Sequence, residues 1–341
     1  MIGALHRHQS SYHRFNPMNR THFQLLVAAA LLVGCSKEDN SQPTTITGEG
    51  SSKGVIAYST LTSNNPFFNV ISANLEAEAN AAGYDVQVVS GDEDAKKQSD
   101  QIKDFIAQKV AAIVLNPCDS KSIGPAIEEA NRAGIPVFTC DIKCLAPQAK
   151  VVSHIATDNL QGGRMAGEAM IEALGETGGK VLVLDKREVE SCLLRVAGFK
   201  EVIEKHNASA TTGKIEVVAE LPGAGQKIKG RETTQAAMQS YPDLAGIFAI
   251  NDPSGLGAYS ALEEAGKADQ VKIIAFDGQP EGKRAIKDGK FYADPVQFPD
   301  RLGRETARTI IAYFNGDEVA AEQLIPTELY RKADAEKDPT L

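Results

Sequence analysis

The stretch that decides the fold runs from 55 to 68: Val55-Ile56-Ala57-Tyr58-Ser59-Thr60-Leu61-Thr62-Ser63-Asn64-Asn65-Pro66-Phe67-Phe68. Its first four residues suit a short buried strand, and residues 69–82 have the make-up of a helix. Between them, polar residues and two adjacent rings gather at a strand-to-helix corner. In an open parallel sheet, ligands bind at such corners, outside the carboxyl ends of the strands. An Asn there offers donors and acceptors to a hydroxyl-rich ligand. A Phe ring offers a flat apolar face to its C–H groups. The same residues also suit a turn followed by core aromatics, so the rest of the chain has to decide.

Outward from this corner the pattern repeats. Apolar runs at 55–58, 86–89, 112–115, 137–139 and 151–155 alternate with amphipathic stretches at 70–82, 97–108 and 123–133. Gly83 and Gly134-Ile135-Pro136 punctuate the helix ends, as a Gly just past a helix and a following Pro should. A second series follows. Strands are predicted at 181–184, 216–219, 246–250, 272–276 and 292–296, and helices at 162–174, 194–206, 229–240, 255–265 and 279–288. A long helix at 300–314 and a short strand at 327–331 close the chain. Strand–helix alternation of this kind predicts an α/β protein with two similar lobes, each a parallel sheet covered by helices.

A length of 341 residues fits two domains, and 42% hydrophobic with 24% charged residues fits a soluble globular body. The net charge of -9 and the lack of a basic patch argue against a nucleic-acid partner. The apolar run 23–33 has the length of a signal-peptide core and is too short to span a bilayer. It ends in Leu32-Val33-Gly34-Cys35, which resembles the bacterial lipobox, whose Cys is lipidated and becomes the new N-terminus. Residues 1–35 therefore read as a lipoprotein signal, with Met18 an alternative start, and Cys35 as the lipidation site that anchors the protein to a membrane. Residues 36–53 are rich in Ser, Thr, Asp, Glu and Gly and read as a flexible tether.

Across 54–333 the body resembles the periplasmic sugar-binding proteins of ABC transporters, most of all the ribose-binding type. The resemblance rests on Asn64-Asn65-Pro66-Phe67-Phe68, Leu115-Asn116-Pro117-Cys118-Asp119, Asp141, His154-Ile155-Ala156-Thr157-Asp158-Asn159, Phe248-Ala249-Ile250-Asn251-Asp252, Ala275-Phe276-Asp277-Gly278 and Gln297-Phe298-Pro299-Asp300, taken in order. It implies the type I periplasmic binding protein fold: two Rossmann-like lobes joined by three crossing segments, with the ligand between them. The lobes would be 54–157 with 298–325, and 158–297 with 326–333, leaving 334–341 as a frayed tail. It also implies a binding set of Asn65, Phe67, Phe68, Asn116, Asp141, Arg195, Asn251, Phe276, Asp277 and Gln297. The carboxylates would accept sugar hydroxyls, the amides and Arg195 would donate, and the rings would sandwich the sugar. The implied function is capture of a monosaccharide and its delivery to a membrane permease, by a monomer outside the cytoplasm, without cofactor or metal.

The chain departs from the ribose-binding pattern in three places. Ile142 stands where that pattern has an Arg after the Asp. The second-lobe aromatic is missing around Leu221-Pro222-Gly223-Ala224-Gly225, and Ser59-Thr60-Leu61-Thr62-Ser63 carries an extra residue. These leave the sugar open among ribose, another pentose, a hexose, a deoxy sugar and a sugar alcohol. Cys118, Cys140, Cys144 and Cys192 allow three disulfide pairings or none, and no Cys/His spacing suggests zinc. A sugar-sensing receptor of the same fold remains an alternative. A transcription regulator of the related fold would need a helix-turn-helix before the body, where the lipobox stands instead. An enzyme would show a dinucleotide fingerprint, a nucleophile elbow or a phosphate loop, and none is present.

Overall fold

A computed structural model describes residues 52–341. The apolar run 23–33, Cys35 and nearly all of the tether lie outside the described residues. The first lobe begins with β1 (Val55–Thr60), α1 (Pro66–Ala81), β2 (Asp85–Ser90), α2 (Ala95–Gln108), β3 (Ala112–Leu115), α3 (Gly124–Arg132), β4 (Val137–Cys140) and β5 (His154–Thr157). The second lobe continues with α4 (Asn159–Leu174), β6 (Gly179–Asp185), α5 (Glu190–Ser209), β7 (Ile215–Pro222), α6 (Lys227–Ser240), β8 (Leu244–Ala249), α7 (Asp252–Glu264), β9 (Lys272–Ile274), α8 (Pro280–Lys287) and β10 (Ala293–Val296). The chain ends with α9 (Pro299–Asn315), β11 (Glu322–Ile325), β12 (Glu328–Arg331) and α10 (Lys332–Ala335).

The strands form two six-stranded sheets, ordered β11-β5-β4-β3-β1-β2 and β12-β10-β9-β8-β6-β7. The first is parallel throughout, and the second is parallel except for β12, which runs antiparallel to β10. The chain passes from one sheet to the other three times: after Thr157, after Val296 and after Ile325. Central strands such as β3 and β4 are buried along their whole length, which is why they read as unbroken apolar runs. Alternation within β1 serves both faces of its sheet. Ile56 and Tyr58 pack with Leu75 and Ile310 on one side, while Ala57 packs with Ile102 and Ile127 on the other.

Helix α1 starts at Pro66, four residues before the sequence-based boundary. Asn65 caps it by accepting the Phe67 amide at 3.0 Å, and Pro66 occupies the first turn, where no amide hydrogen is needed. Both rings of the Phe pair are thereby fixed in the first turn, facing inward. Strand β11 was not foreseen, because Glu322-Gln323-Leu324-Ile325 is a polar edge strand, exposed at every second residue. The tail expected to fray at 334–341 is instead docked. Ala335 is buried, Tyr330 Oη donates to Asp338 at 2.9 Å, and Lys287 Nζ donates to the Leu341 carbonyl at 3.2 Å. All four cysteines among the described residues are free.

Candidate ligand-binding site

A small cavity of about 60 Å³ lies between the two lobes, walled by residues that follow the carboxyl ends of strands from both sheets. Eight of the ten expected residues line it: Asn65, Phe67, Phe68, Asp141, Arg195, Asn251, Asp277 and Gln297. Phe67 and Phe68 meet edge to face, with ring centroids 5.3 Å apart. The first-lobe wall therefore carries two aromatic rings set at right angles to each other.

Asp141 follows β4 in a left-handed backbone conformation, with φ 61°. It is buried, and its Oδ1 has no hydrogen-bond partner among the described residues. Burial pushes its carboxyl up to about 7; Arg195 pulls it down, while Asp277 and Glu190 push it up. Asp277 faces the cavity from the second lobe and is satisfied differently. Its Oδ1 accepts Arg195 Nη1 at 3.1 Å and Gln297 Nε2 at 2.7 Å, and its Oδ2 accepts Gln279 Nε2 at 3.0 Å. Arg195 is buried too, donating from Nε to Asn159 at 2.8 Å and from Nη1 to the Ile250 carbonyl at 2.7 Å.

Helix packing explains why Arg195 can be placed so deeply. A Cβ at Gly163 of α4 would come within 2.2 Å of the Arg195 carbonyl, and one at Gly198 of α5 within 2.3 Å of the Leu160 carbonyl. The two helices therefore touch backbone to backbone, and only glycine permits that approach. Gln297 Oε1 accepts the Thr157 hydroxyl at 2.8 Å, which ties two of the crossing segments together.

Two expected residues do not reach the cavity. The Asn116 side chain donates to the Cys140 carbonyl at 2.6 Å and accepts the Tyr58 hydroxyl, so its polar atoms are spent inside the first lobe. It braces the end of β4, one residue before Asp141. Phe276 is wholly buried beneath Arg195, whose guanidinium carbon lies 3.9 Å from the ring centroid. Its far edge meets Gly162, where a Cβ would come within 2.5 Å of the ring. The ring is a platform for the Arg rather than a wall of the site.

Asn65 and Asn251 each serve two roles. Both cap helices, and Asn251 spends Oδ1 on Ser254 and Nδ2 on the Gly225 carbonyl at 3.0 Å. Several lining residues were missed: Leu61, Thr62, Glu93, Lys186, Val189, Ser191, Cys192, Gly225 and Ile250. Lys186 and Glu93 come just after β6 and β2, so the strand-end rule that located Asn251 applies to them as well. Ile142, noted in the sequence as an apolar substitute for an Arg, is buried against the cavity. The Cys192 thiol is pushed up to about 12 by burial, which keeps it protonated and a poor nucleophile. The geometry is that of a binding site, with donors, acceptors and rings but no activated nucleophile.

The model of the periplasmic binding protein domain matches residues 56–318. This chain belongs to that family. Periplasmic binding proteins similar to it include the ribose import binding protein of Escherichia coli, 34% identical over 289 residues, covering 84% of this chain and 94% of the relative. The D-apiose import binding protein of Paraburkholderia graminis is 30% identical over 295 residues, covering 86% and 92%. Among solved structures, an ABC transporter solute-binding protein from Agrobacterium vitis bound to α-D-tagatopyranose superimposes with a TM-score of 0.77 at 27% identity, covering 84% of this chain and 97% of that one. Proteins of this group are binding components of transport systems rather than enzymes.

Proposed function

We propose that this periplasmic binding protein captures a monosaccharide or sugar alcohol between its lobes and hands it to an ABC transporter permease. The observation that carries the reading is Asp141. A buried carboxylate with an unpartnered oxygen is costly unless something donates to it, and a ligand hydroxyl is a donor of the right size. The Phe67–Phe68 pair on the same wall supplies the apolar surface that a sugar ring needs. The small cavity favours a single ring over an oligosaccharide. Relatives that import ribose and apiose support the same ligand class. The lipobox Leu32-Val33-Gly34-Cys35 supports a lipid anchor at Cys35, holding the body outside the cytoplasmic membrane.

A thermal-shift screen across pentoses, hexoses, deoxy sugars and alditols tests the proposal. A ligand at one hundred times its Kd stabilises by about 2.7 kcal/mol, a shift such a screen resolves. At least one sugar should raise Tm, and Asp141→Ala should lose that shift. A panel without any shift overturns the reading.

A further inference from the structure

Opposite charges from the two lobes meet at the mouth of the cavity. Glu93, in the turn between β2 and α2, accepts Lys186 Nζ on Oε2 at 2.6 Å and Gln226 Nε2 on Oε1 at 3.2 Å. Lys186 follows β6 and Gln226 precedes α6, so both partners belong to the second lobe. The Lys186 side chain is 11% exposed and that of Glu93 29%, so the bridge is largely shielded from solvent.

Glu93 borders two spaces at once. One is the inner cavity, and the other is an outer groove of about 730 Å³, which Asn64 and Pro66 line on one side and Gln226 and Ile228 on the other. The bridge thus stands on the partition between ligand space and solvent. The backbone presents the carboxylate there at a cost. Asp92 and Glu93 are consecutive left-handed residues, with φ 53° and 61°, held by the Glu93 amide donating to the Leu61 carbonyl at 2.9 Å. Strained backbone of this kind persists where its surroundings enforce it, and it clusters at ligand clamps and switches.

We propose that the Glu93–Lys186 bridge is a latch that holds the lobes closed and sets how long a bound ligand stays. The pair exists only when the lobes are together, so it adds to the closed state alone. A ligand filling the cavity dries the Lys186 side, which strengthens the attraction. Ligand and latch therefore reinforce each other, as coupled sites must. Two cross-lobe bonds at Ser120, from its amide to the Glu188 carbonyl at 2.9 Å and from the Glu190 amide to its Oγ at 3.0 Å, carry no formal charge and do not respond to charge exchange.

The inference rests on the proposed sugar-binding function, and its test separates the two. Wild type, Glu93→Gln, Lys186→Met and the exchanged double variant Glu93→Lys/Lys186→Glu are compared, with circular dichroism confirming that each is folded. The probes are D-ribose, D-allose and D-tagatose, followed by stopped-flow dissociation at low and high NaCl. Either single variant should release sugar about ten-fold faster with its association rate little changed, since affinity differences within one site fall mostly on dissociation. Wild-type dissociation should quicken with salt, the single variants should lose that response, and the exchanged variant should regain it. Unchanged dissociation in both single variants, or a folded exchanged variant that recovers neither rate nor salt response, overturns the latch. Should wild type bind none of the probes, small-angle scattering of the sugar-free proteins across the salt series decides. The latch then predicts that wild type expands with salt, that Glu93→Gln does not, and that the exchanged variant does. Absence of that pattern overturns it.

Discussion

Asp141 occupies a place that costs stability. Its carboxyl is buried, one oxygen is unpartnered, and its backbone is left-handed. Its folded-state pKa of about 7 is raised above the ordinary value of 3.8, so the folded state favours the protonated form. For a raised acid, stability is fullest below the unfolded pKa and is lost as pH rises through the folded one. Ligand-free protein should therefore weaken as pH rises from about 4 to about 7. Asp252 and Asp294, two more buried carboxyls raised mainly by burial, act in the same direction. His154 opposes them on the acid side. Burial holds it down to about 4, so its contribution is complete above 6.5 and lost as pH falls towards 4.

Asp141→Asn should raise Tm at pH 8 relative to wild type and flatten the decline between about pH 4 and 7. The same change should weaken sugar binding about ten-fold or more, because a hydrogen bond to a charged group contributes roughly 1.5–3 kcal/mol. Melting curves and calorimetric titrations across pH check both signs. A variant that loses stability at pH 8, or keeps full affinity, removes Asp141 from its assigned role. Most of the residues expected from the sequence line the cavity, because strand ends place backbone predictably. The sequence could not say whether a side chain there is free. Asn116 and Phe276 sit where expected, yet Tyr58 and Cys140 consume the first and Arg195 covers the second. Those partners are distant in sequence, so no local signal announced them.

Helices α4 and α5 carry the next prediction. Their backbone contact at Gly163 and Gly198 sets the depth from which Arg195 reaches the cavity. Gly163→Ala forces the helices apart and should cost on the order of 1–3 kcal/mol, as overpacking does. Because Arg195 moves with α5, sugar affinity should fall as well, measurable by calorimetry on the folded variant below its lowered Tm. Normal affinity in that variant would show that another contact positions the Arg. The element pattern itself was readable from apolar runs and Gly or Pro punctuation. A helix start and an edge strand escaped for identifiable reasons. The start of α1 lies in the Asn65-Pro66 cap signature rather than in the apolar periodicity, and β11 is a polar edge strand completed only by pairing with β5.

For the whole molecule, residues of both lobes line the inner cavity, and three segments of chain join the two sheets. The Thr157–Gln297 bond links two of those crossings, and Gln297 also holds Asp277, so hinge geometry and ligand wall are directly connected. The proposed lipidation of Cys35 bears on the whole molecule. Cys35→Ala should move the protein from the membrane to the soluble fraction and remove the mass of the acyl chains, and retention in the membrane would count against lipidation at Cys35. Under the proposed function both lobes clamp one sugar, so that the closed form gains contacts the open form lacks, as in hinge closure of periplasmic binding proteins generally. Small-angle X-ray scattering with and without the most stabilising sugar of the thermal-shift panel tests this most directly. A smaller radius of gyration is expected at saturation; identical profiles at saturating sugar would show that the lobes do not close on it.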